Sequence, residues 1–269
     1  MKKVAILCFF SIMVAFPSFI SAKTSHKVAI VIDDFGNNMK GTEQMLSLPI
    51  PLTAAVMPFL PSTKTDAQLA HAKGYEVIVH LPMEPIKGKR SWLGPNAITT
   101  DLSDEEIRKR VEMAIRDVPF AIGMNNHMGS KATADERVMR IVLSVCKKHG
   151  FFYLDSKTNS KSVVRKVAKE IGVPVIENNL FFDDLYTHSH VVKQADLLLD
   201  KIATEPVVVA IGHVGPPGEI TSSVLKAYIP KVRQKADFLF VSQLLPQKTP
   251  FFPHDKEISP IREQVKVHQ

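Results

Sequence analysis

Short runs of β-branched and other apolar residues alternate along most of the chain with longer stretches in which apolar residues recur at helical spacing. This alternation is typical of parallel strands joined by helical crossovers. The strands that it predicts cover residues 28–32, 52–57, 76–80, 121–124, 151–154, 173–176 and 207–211, with 238–241 as a candidate eighth. Such units fold either as an open doubly wound sheet or as a barrel. Because nothing in the pattern marks an internal linker, we expect one α/β domain over residues 27–245.

Two helix starts and one long loop stand out between these strands. Ser103 with Glu106, and Thr133 with Glu136, have the spacing of a capping box, in which the two side chains satisfy free backbone N–H groups. Residues 85–100 show no periodicity, and loops of this length tend to be functional. From residue 246 to 269 the periodicity is lost again, and we expect a flexible polar tail there.

The first 22 residues have a different pattern, which predicts a secretory signal peptide. Lys2 and Lys3 precede an apolar run that Pro17 interrupts, and the run leads to Ala22. A membrane-spanning helix needs about 20 uninterrupted apolar residues, so we expect cleavage after Ala22 and no stable membrane span afterwards. The alternative is an uncleaved anchor, which Ile20 favours because a small residue is more usual three positions before the cut. We therefore expect a secreted protein of the periplasm or cell envelope.

Composition and charge exclude several classes of protein. With 269 residues, 45% of them hydrophobic, the chain is not intrinsically disordered. Its formal net charge of +7 falls to +5 without Lys2 and Lys3, and the charge is scattered. Since no basic helix or aromatic RNA-binding motif accompanies it, we expect an anionic neighbour such as a cell envelope and no nucleic-acid partner. Cys8 and Cys146 fit no zinc-finger or disulfide framework, and Cys146 is predicted to be buried in a helix.

Acidic residues and histidines follow five of the predicted strands, at the point where each strand ends. They are Asp33 and Asp34, His80, His127, Asp155 and His213. The carboxyl ends of parallel strands lie at one rim of a sheet or barrel, so we expect these side chains to meet. Two adjacent carboxylates are costly to bury unless a metal ion or a proton neutralises one of them. An aspartate and two histidines from different strands form a three-ligand site with one position open for water, which is typical of catalytic zinc.

Five short motifs resemble those of a known family. They are residues 32–36 (Ile-Asp-Asp-Phe-Gly), 80–85 (His-Leu-Pro-Met-Glu-Pro), 125–130 (Asn-Asn-His-Met-Gly-Ser), 155–158 (Asp-Ser-Lys-Thr) and 211–213 (Ile-Gly-His). Together, and in this order, they resemble the divergent polysaccharide deacetylase family, which looks like a remote branch of the NodB-homology polysaccharide deacetylases. The resemblance covers nearly all of the chain after the leader. It implies a distorted (β/α) barrel of about seven parallel strands.

The resemblance also implies roles for individual residues. In the parent superfamily the first aspartate of the Asp-Asp pair is the general base and the second is a metal ligand, which assigns these roles to Asp33 and Asp34. A histidine in the last motif is the general acid there, and His213 matches it. The parent motif His-x-x-x-His supplies two further metal ligands, and His80 matches the first of them.

The second histidine of that parent motif is replaced here by Glu84. We expect His127, from the next strand end, to supply the missing imidazole. Glu84 is then either a fourth metal ligand or an acceptor that orients a ligand histidine. The implied cofactor is a divalent metal ion, and zinc is the expected one.

Four further residues are candidates for substrate binding, each with a plainer alternative. Asn125 and Asn126 either offer amide groups to a sugar or form a turn. Asp155 either orients His213, or binds sugar hydroxyls, or caps a helix. Trp92, the only tryptophan, either stacks on a sugar ring or anchors its loop.

Two other polar groups are interpreted as surface features. Residues 183–184 (Asp-Asp) follow two phenylalanines, and a turn pair of carboxylates is slightly favoured over a place at the same rim. Residues 188–190 (His-Ser-His) begin a helical pattern, so we interpret them as an exposed helix start and not as metal ligands.

The function expected from these residues is hydrolysis of N-acetyl or O-acetyl groups of an envelope or extracellular glycan by a metal-activated water. The partner is then an acetylated glycan or a peptidoglycan-like polymer. An alternative is a catalytically inactive carbohydrate-binding or regulatory envelope protein that keeps the barrel, which the loss of the second motif histidine favours. A third interpretation is metal-dependent hydrolysis of another amide or ester. Retention of Asp33 and His213 favours an enzyme, since a pure binding protein needs neither a base nor an acid.

Overall fold

The computed structural model describes residues 26–245, whose nine strands all pair in parallel within one sheet. The strands are β1 (His26–Phe35), β2 (Thr53–Val56), β3 (Glu76–Met83), β4 (Ala121–Met128), β5 (Phe152–Asp155), β6 (Val175–Glu177), β7 (Leu180–Phe181), β8 (Val207–His213) and β9 (Ala236–Phe238). The helices are α1 (Thr42–Met45), α2 (Thr63–Ala72), α3 (Asp104–Asp117), α4 (Glu136–His149), α5 (Val164–Ile171), α6 (His188–Thr204), α7 (Gly218–Arg233) and α8 (Val241–Leu244). The expected signal peptide and the expected tail lie outside the described residues.

The sheet curls into an incompletely closed barrel. Eight strands pair in the order β6-β5-β4-β3-β2-β1-β8-β7, and β9 pairs with the start of β1. β6 and β7 are consecutive in the chain but lie at the two ends of this order, so the barrel is open between them. Two asparagines reach across, because Asn178 N–H donates to the carbonyl of Asp155 on β5 and Asn179 N–H donates to that of Val209 on β8. The predicted distorted (β/α) barrel is confirmed, with nine strands instead of about seven.

Apolar side chains fill two layers because successive residues of a strand face opposite sides of the sheet. On β1, Ile30 packs toward the helices, whereas Ala29 and Val31 belong to a smaller apolar cluster inside the barrel. Ile78 of β3 and Ile211 of β8 belong to the same inner cluster. Two residues further along these three strands, the inward position is polar; the residues there are Asp33, His80 and His213.

The amino-terminal end of the barrel is closed by α8. Val241 of this helix joins the inner apolar cluster. The buried Glu76, at the start of β3, accepts hydrogen bonds from the hydroxyl of Thr53 (2.8 Å) and from the backbone N–H of Ser242 (3.3 Å). Burial raises the pKa of the Glu76 carboxyl, against the opposing effect of these hydrogen bonds.

The strands differ from the predicted ones mainly at their ends. β3 and β4 continue to Met83 and Met128, three and four residues beyond the predicted ends at 80 and 124. The two-residue strand β7 has no counterpart in the predicted pattern. The last strand is Ala236–Phe238, and most of the residues predicted as an eighth strand instead lead into α8.

Of the two predicted capping boxes only the Ser103 cap is present, because the carboxylate of Glu106 pairs with Arg110 and does not reach back to Ser103. The hydroxyl of Ser103 accepts a hydrogen bond from the N–H of Glu106 at the start of α3. At α4, however, the cap is Asp135, whose carboxylate accepts from the N–H of Val138, while the hydroxyl of Thr133 donates to the carbonyl of Gly129. Cys146 is buried in α4, as predicted. None of the helices within residues 26–245 is long and apolar enough to cross a membrane.

Candidate metal centre

The carboxyl ends of β1, β3, β4 and β8 open into a cleft of about 530 Å³. The turns that follow these strands and the loop after β7 form its walls. The cleft is lined by titratable side chains and by aromatic rings. The titratable residues are Asp33, Asp34, His80, His127, Asp183, Asp184 and His213, and the aromatic ones are Trp92, Phe181 and Tyr186.

The carboxyl end of β1 presents two aspartates to this cleft. Asp33 continues the inward-facing row of β1, and Asp34 adopts a left-handed conformation (φ 71°) that brings its side chain to the same end. Gly36 follows at φ 120°, where a Cβ would lie 2.8 Å from the carbonyl oxygen of Met57. The carboxylate of Asp66 accepts a hydrogen bond from the N–H of Gly36 (2.7 Å), which anchors the turn to α2.

Donor atoms from three residues converge beside this turn. Oδ1 of Asp34 lies 3.0 Å from Nδ1 of His127 and 3.3 Å from Nε2 of His80, and the two nitrogens are 3.1 Å apart. A tetrahedral ion with bonds of about 2.0 Å spaces its ligands about 3.3 Å apart. Oδ1 of Asp34 is buried and has no hydrogen-bond partner in the described part of the chain. The structure thus brings Asp34, His80 and His127 close enough to hold a metal ion, as their strand-end positions predict.

The opposite nitrogen of each imidazole is held by an oxygen that can only accept. Nδ1 of His80 lies 2.7 Å from the amide oxygen of Asn125, and Nε2 of His127 lies 3.1 Å from the backbone carbonyl of Trp92. With its N–H used there, the neutral form of each ring directs a lone pair at Asp34, as a metal ligand must. Two lone pairs 3.1 Å apart repel each other unless they share a cation. The residues present therefore fit a divalent ion, and one carboxylate with two imidazoles is a donor set that suits zinc.

The two aspartates of β1 differ in their electrostatic surroundings. Burial raises the pKa of Asp33, although His80, His213 and an amide hydrogen bond from Asn125 oppose this rise. Burial would raise the pKa of Asp34 as well, but its contacts with His127 and His80 outweigh it and hold that pKa well below its usual range. Asp34 is therefore the better ligand for a cation, and Asp33 is the better acceptor for a proton.

A partly exposed histidine and a buried aspartate form a pair on the β7 and β8 side of the cleft. Nδ1 of His213 lies 2.7 Å from Oδ1 of Asp183, and Oδ2 of Asp183 accepts from the N–H of His213 (2.9 Å) and the hydroxyl of Thr221 (2.7 Å). Burial lowers the pKa of His213, but the Asp183 carboxylate outweighs it and raises the pKa to about 10. The ring of His213 also stacks on Phe181, with 6.0 Å between centroids. Asp183 thus orients His213 at the cleft and favours the protonated form of its ring.

Asp183, and not Asp155, orients His213, which corrects two of the sequence interpretations. Asp155 is buried, and its oxygens accept hydrogen bonds from the N–H of Lys157 (2.8 Å) and the hydroxyl of Ser162 (2.7 Å). It neither contacts His213 nor lines the cleft. The turn interpretation of Asp183 is wrong because it misses β7, the short strand that carries this residue to β8.

Glu84 does not join the three converging residues, contrary to both roles expected for it. Its Oε1 pairs with Nζ of Lys131 (2.8 Å), and its Oε2 accepts from the N–H (2.7 Å) and the hydroxyl (2.8 Å) of Thr100. β3 ends at Met83, and Glu84 is used to tie the start of the long loop to its neighbours. At the position of the parent motif's second histidine, this protein thus has a residue that stabilises the loop after β3.

The two asparagines of β4 are engaged in hydrogen bonds within the protein, and Asn126 also lines the cleft. The amide of Asn126 donates to the carbonyl of Met128 (2.8 Å) and accepts from the N–H of Ser156 (3.1 Å). Asn125 is completely buried and bridges His80 and Asp33. The alternative of a turn is wrong, because both residues lie within β4.

Trp92 lies at the mouth of the cleft. Its side chain is 58% exposed, so the loop-anchor interpretation does not describe it. Tyr186, on the loop after β7, is 59% exposed and lines the same cleft. The helix-start interpretation of residues 188–190 holds, since α6 begins at His188 and His190 pairs with Asp184 (2.6 Å) at the surface.

The protein is thus a curled parallel barrel with an Asp-His-His cluster at its carboxyl rim. Comparison with known sequences identifies its family. Residues 30–245 match the family described as divergent polysaccharide deacetylase, and the chain belongs to that family.

Relatives of known sequence and structure share this domain. The chain is 35% identical over 190 residues to the uncharacterized protein YibQ of Escherichia coli, a match that covers 71% of this chain and 59% of YibQ. It is 34% identical over 201 residues to an uncharacterized protein of Haemophilus influenzae, covering 75% of this chain and 70% of that one. An uncharacterized protein of Agrobacterium tumefaciens has the same fold, with a TM-score of 0.75 at 19% identity over 84% of this chain and 92% of that one. The chain thus spans less than two thirds of YibQ.

Proposed function

We propose that this protein is a metal-dependent carbohydrate deacetylase that acts outside the cytoplasm on an acetylated envelope or extracellular glycan. The observation that carries the proposal is the content of one cleft. Three metal-donor atoms, from Asp34, His80 and His127, lie in it beside the candidate base Asp33 and the candidate acid His213. A site that only binds sugars has no need of a base and an acid flanking a metal position.

The residues of the cleft divide the work of amide hydrolysis. Asp34, His80 and His127 would hold a zinc ion, which when bound would supply a Lewis acid for the acetyl carbonyl and make water more acidic. Asp33 takes a proton from the attacking water, whose oxygen forms a bond to the acetyl carbon. His213 gives a proton to the sugar nitrogen as the C–N bond breaks. The products are acetate and the free amine.

Asp33 is suited to its part by its two oxygens. Oδ1 is fixed by the amide of Asn125 at 2.9 Å, and Oδ2 lies 3.6 Å from Nε2 of His80. One oxygen is thus anchored while the other faces the metal position. The raised pKa of Asp33 favours acceptance of a proton.

Acetate release tests the proposal. Purified protein is loaded with zinc and assayed on N-acetylated oligosaccharides and peptidoglycan fragments, in parallel with Asp33→Asn and His213→Ala. We expect acetate from the wild type and a loss of roughly 10²–10⁴-fold in kcat for each variant, with zinc still bound. A wild type that binds glycans and releases no acetate across the panel would establish the inactive, carbohydrate-binding alternative. That alternative is supported by Glu84, which stands at the second ligand position of the parent motif and turns away from the metal position.

Trp92 is proposed to contact the substrate through its exposed ring at the cleft mouth. Aromatic faces bind sugar rings through apolar contact, so Trp92→Ala should raise KM about tenfold for an oligosaccharide and leave kcat nearly unchanged. The exposed Phe120, which stacks on His71 at the other end of β4, gives the matched control Phe120→Ala. An unchanged KM in Trp92→Ala would remove the ring from the binding site.

The location outside the cytoplasm rests on the predicted signal peptide. Expression of the full chain in a Gram-negative host, followed by mass spectrometry of the periplasmic fraction, should give a protein that begins at Lys23. A protein retained in the membrane with Met1 intact would establish the uncleaved anchor instead.

A further inference from the structure

Asn125 joins two parts of the site that come from different strands. It lies on β4 directly opposite His80 of β3 in the parallel register, and it is completely buried. Its amide nitrogen donates to Oδ1 of Asp33 at 2.9 Å, and its amide oxygen lies 2.7 Å from Nδ1 of His80. The amide therefore spans from the candidate base to a candidate metal ligand.

The chemistry of these neighbours fixes which way the amide faces. A carboxylate accepts hydrogen bonds and does not donate them, so the NH₂ group must face Asp33. The oxygen then faces His80, and Nδ1 of the ring must carry the proton. In the neutral ring, which is the form that binds a metal, Nε2 of His80 then keeps a lone pair that points toward Oδ1 of Asp34, 3.3 Å away.

We infer that Asn125 is a positioning residue that holds Asp33 and His80 in one hydrogen-bonded unit and fixes the tautomer of His80 for metal binding. The metal and base roles in this inference rest on the proposed function. An amide is the side chain that meets both demands, because it places one donor and one acceptor on the same planar group. A carboxylate at this position keeps the acceptor for His80 but faces Asp33 with a second negative charge. Alanine provides neither contact.

Measurement of zinc affinity tests whether the contact of Asn125 with His80 supports metal binding, and it distinguishes this role from a general loss of structure. Competition with a chelator measures the affinity of the wild type, Asn125→Asp and Asn125→Ala. Asn125→Asp should bind at least as tightly as the wild type, whereas Asn125→Ala should bind about 10–100-fold more weakly. Asn178, another buried asparagine, accepts a hydrogen bond from the N–H of Leu180 and donates one to the carbonyl of Ser156. Asn178→Ala therefore controls for the loss of a buried amide and should keep wild-type affinity for zinc. Wild-type affinity in Asn125→Ala would overturn the inference.

Exchange of Asp33 and Asn125 tests the contact between these two residues and does not require catalytic activity. In metal-free protein Asn125→Asp should lower Tm by several degrees, because two buried carboxylates then face each other. The double variant Asp33→Asn with Asn125→Asp restores a donor and an acceptor and should recover most of that loss. An Asn125→Asp protein as stable as the wild type, or a double variant no better than the single one, would overturn the inference.

The activity assay distinguishes this inference from the proposed function. If the wild type releases acetate, Asn125→Asp should lose at least tenfold in kcat with KM nearly unchanged, because the base is no longer held, and full kcat would contradict its role. If the wild type releases none, the proposed function fails while zinc affinity and the exchange experiment still decide the role of Asn125.

Discussion

The Asp183 carboxylate sets the pH response of the cleft through a single neighbouring ring. It raises the pKa of His213 to about 10, so the imidazolium persists through neutral pH and can act as an acid. Asp183→Asn keeps an acceptor for the ring and removes the charge. The pKa of His213 then falls, and the acid form is lost at a lower pH. A bound cation lowers this pKa in both proteins, so the difference between them is the quantity to test.

We therefore expect the alkaline limb of the kcat/KM profile to move to lower pH in Asp183→Asn. Rates measured between pH 6 and pH 10 for both proteins check this. Asp184→Asn is the matched control, since Asp184 pairs with His190 and not with His213. An alkaline limb that stays in place in Asp183→Asn would mean that His213 is not the group that titrates.

At the scale of elements, the closure of the barrel by α8 depends on one buried carboxyl. Burial raises the pKa of Glu76 above its value in the unfolded chain, so the folded state binds the proton more tightly. Stability from this group is present at low pH and declines as the pH rises above the unfolded pKa. Glu76→Gln removes the charge and keeps one acceptor oxygen, at the Oε1 position that Thr53 and Ser242 both contact. Its Tm should exceed that of the wild type at pH 7.5, and the difference should shrink toward pH 4.5.

Thermal unfolding at several pH values checks this prediction. Glu76→Ala removes the acceptors too and should be less stable than the wild type at every pH. A Gln variant that is less stable than the wild type at pH 7.5 would show that the charge at the start of α8 stabilises the fold.

Two loops beside the cleft touch through glycines. A Cβ on Gly218, at the start of α7, would lie 2.4 Å from the carbonyl oxygen of Lys40, and one on Gly41 would lie 2.6 Å from the carbonyl carbon of Gly218. Helix propensity favours alanine over glycine by about 1 kcal/mol, but this backbone contact cannot yield easily. Gly218→Ala should therefore lower the free energy of unfolding by about 1–3 kcal/mol, as urea titration measures. A stabilised variant would mean that the loops separate freely.

The sequence pattern predicts long elements well because it records burial at a fixed period. The pattern places seven strands in this way, but it ends β3 and β4 too early, near His80 and Asn125. These residues are polar because they line or support the site, and not because the strand ends there. β7 has two residues, too few to show a period. Without β7 the pattern gives no reason to place Asp183 at the rim, and it favours a turn there instead. Its pairing with His213 spans 30 residues and exists only because β7 and β8 are neighbours. Convergence of Asp34, His80 and His127 was predictable because all three follow strands that end at one rim.

At the scale of the whole molecule, a metal bound by three strands should stabilise the complete fold. Asp34, His80 and His127 come from β1, β3 and β4, and unfolding separates them. An ion that binds only the folded state adds about 2.7 kcal/mol of stability at a concentration 100 times its Kd. In a domain of this size that corresponds to a rise in Tm of roughly 5–10 °C. Excess zinc should therefore raise the Tm of the wild type by this amount, and a chelator should reverse the rise.

Two variants decide which residues form the ligand set. His127→Ala removes one of the three donors and should abolish most of the zinc-dependent rise in Tm. Glu84→Gln should keep it, because the carboxylate of Glu84 is engaged with Lys131 and Thr100. His190→Ala, at a partly buried histidine near the start of α6, controls for loss of an imidazole away from the metal position. If Glu84→Gln loses the rise as completely as His127→Ala does, the ligand set includes Glu84 and the loop after β3 must move to bring it in.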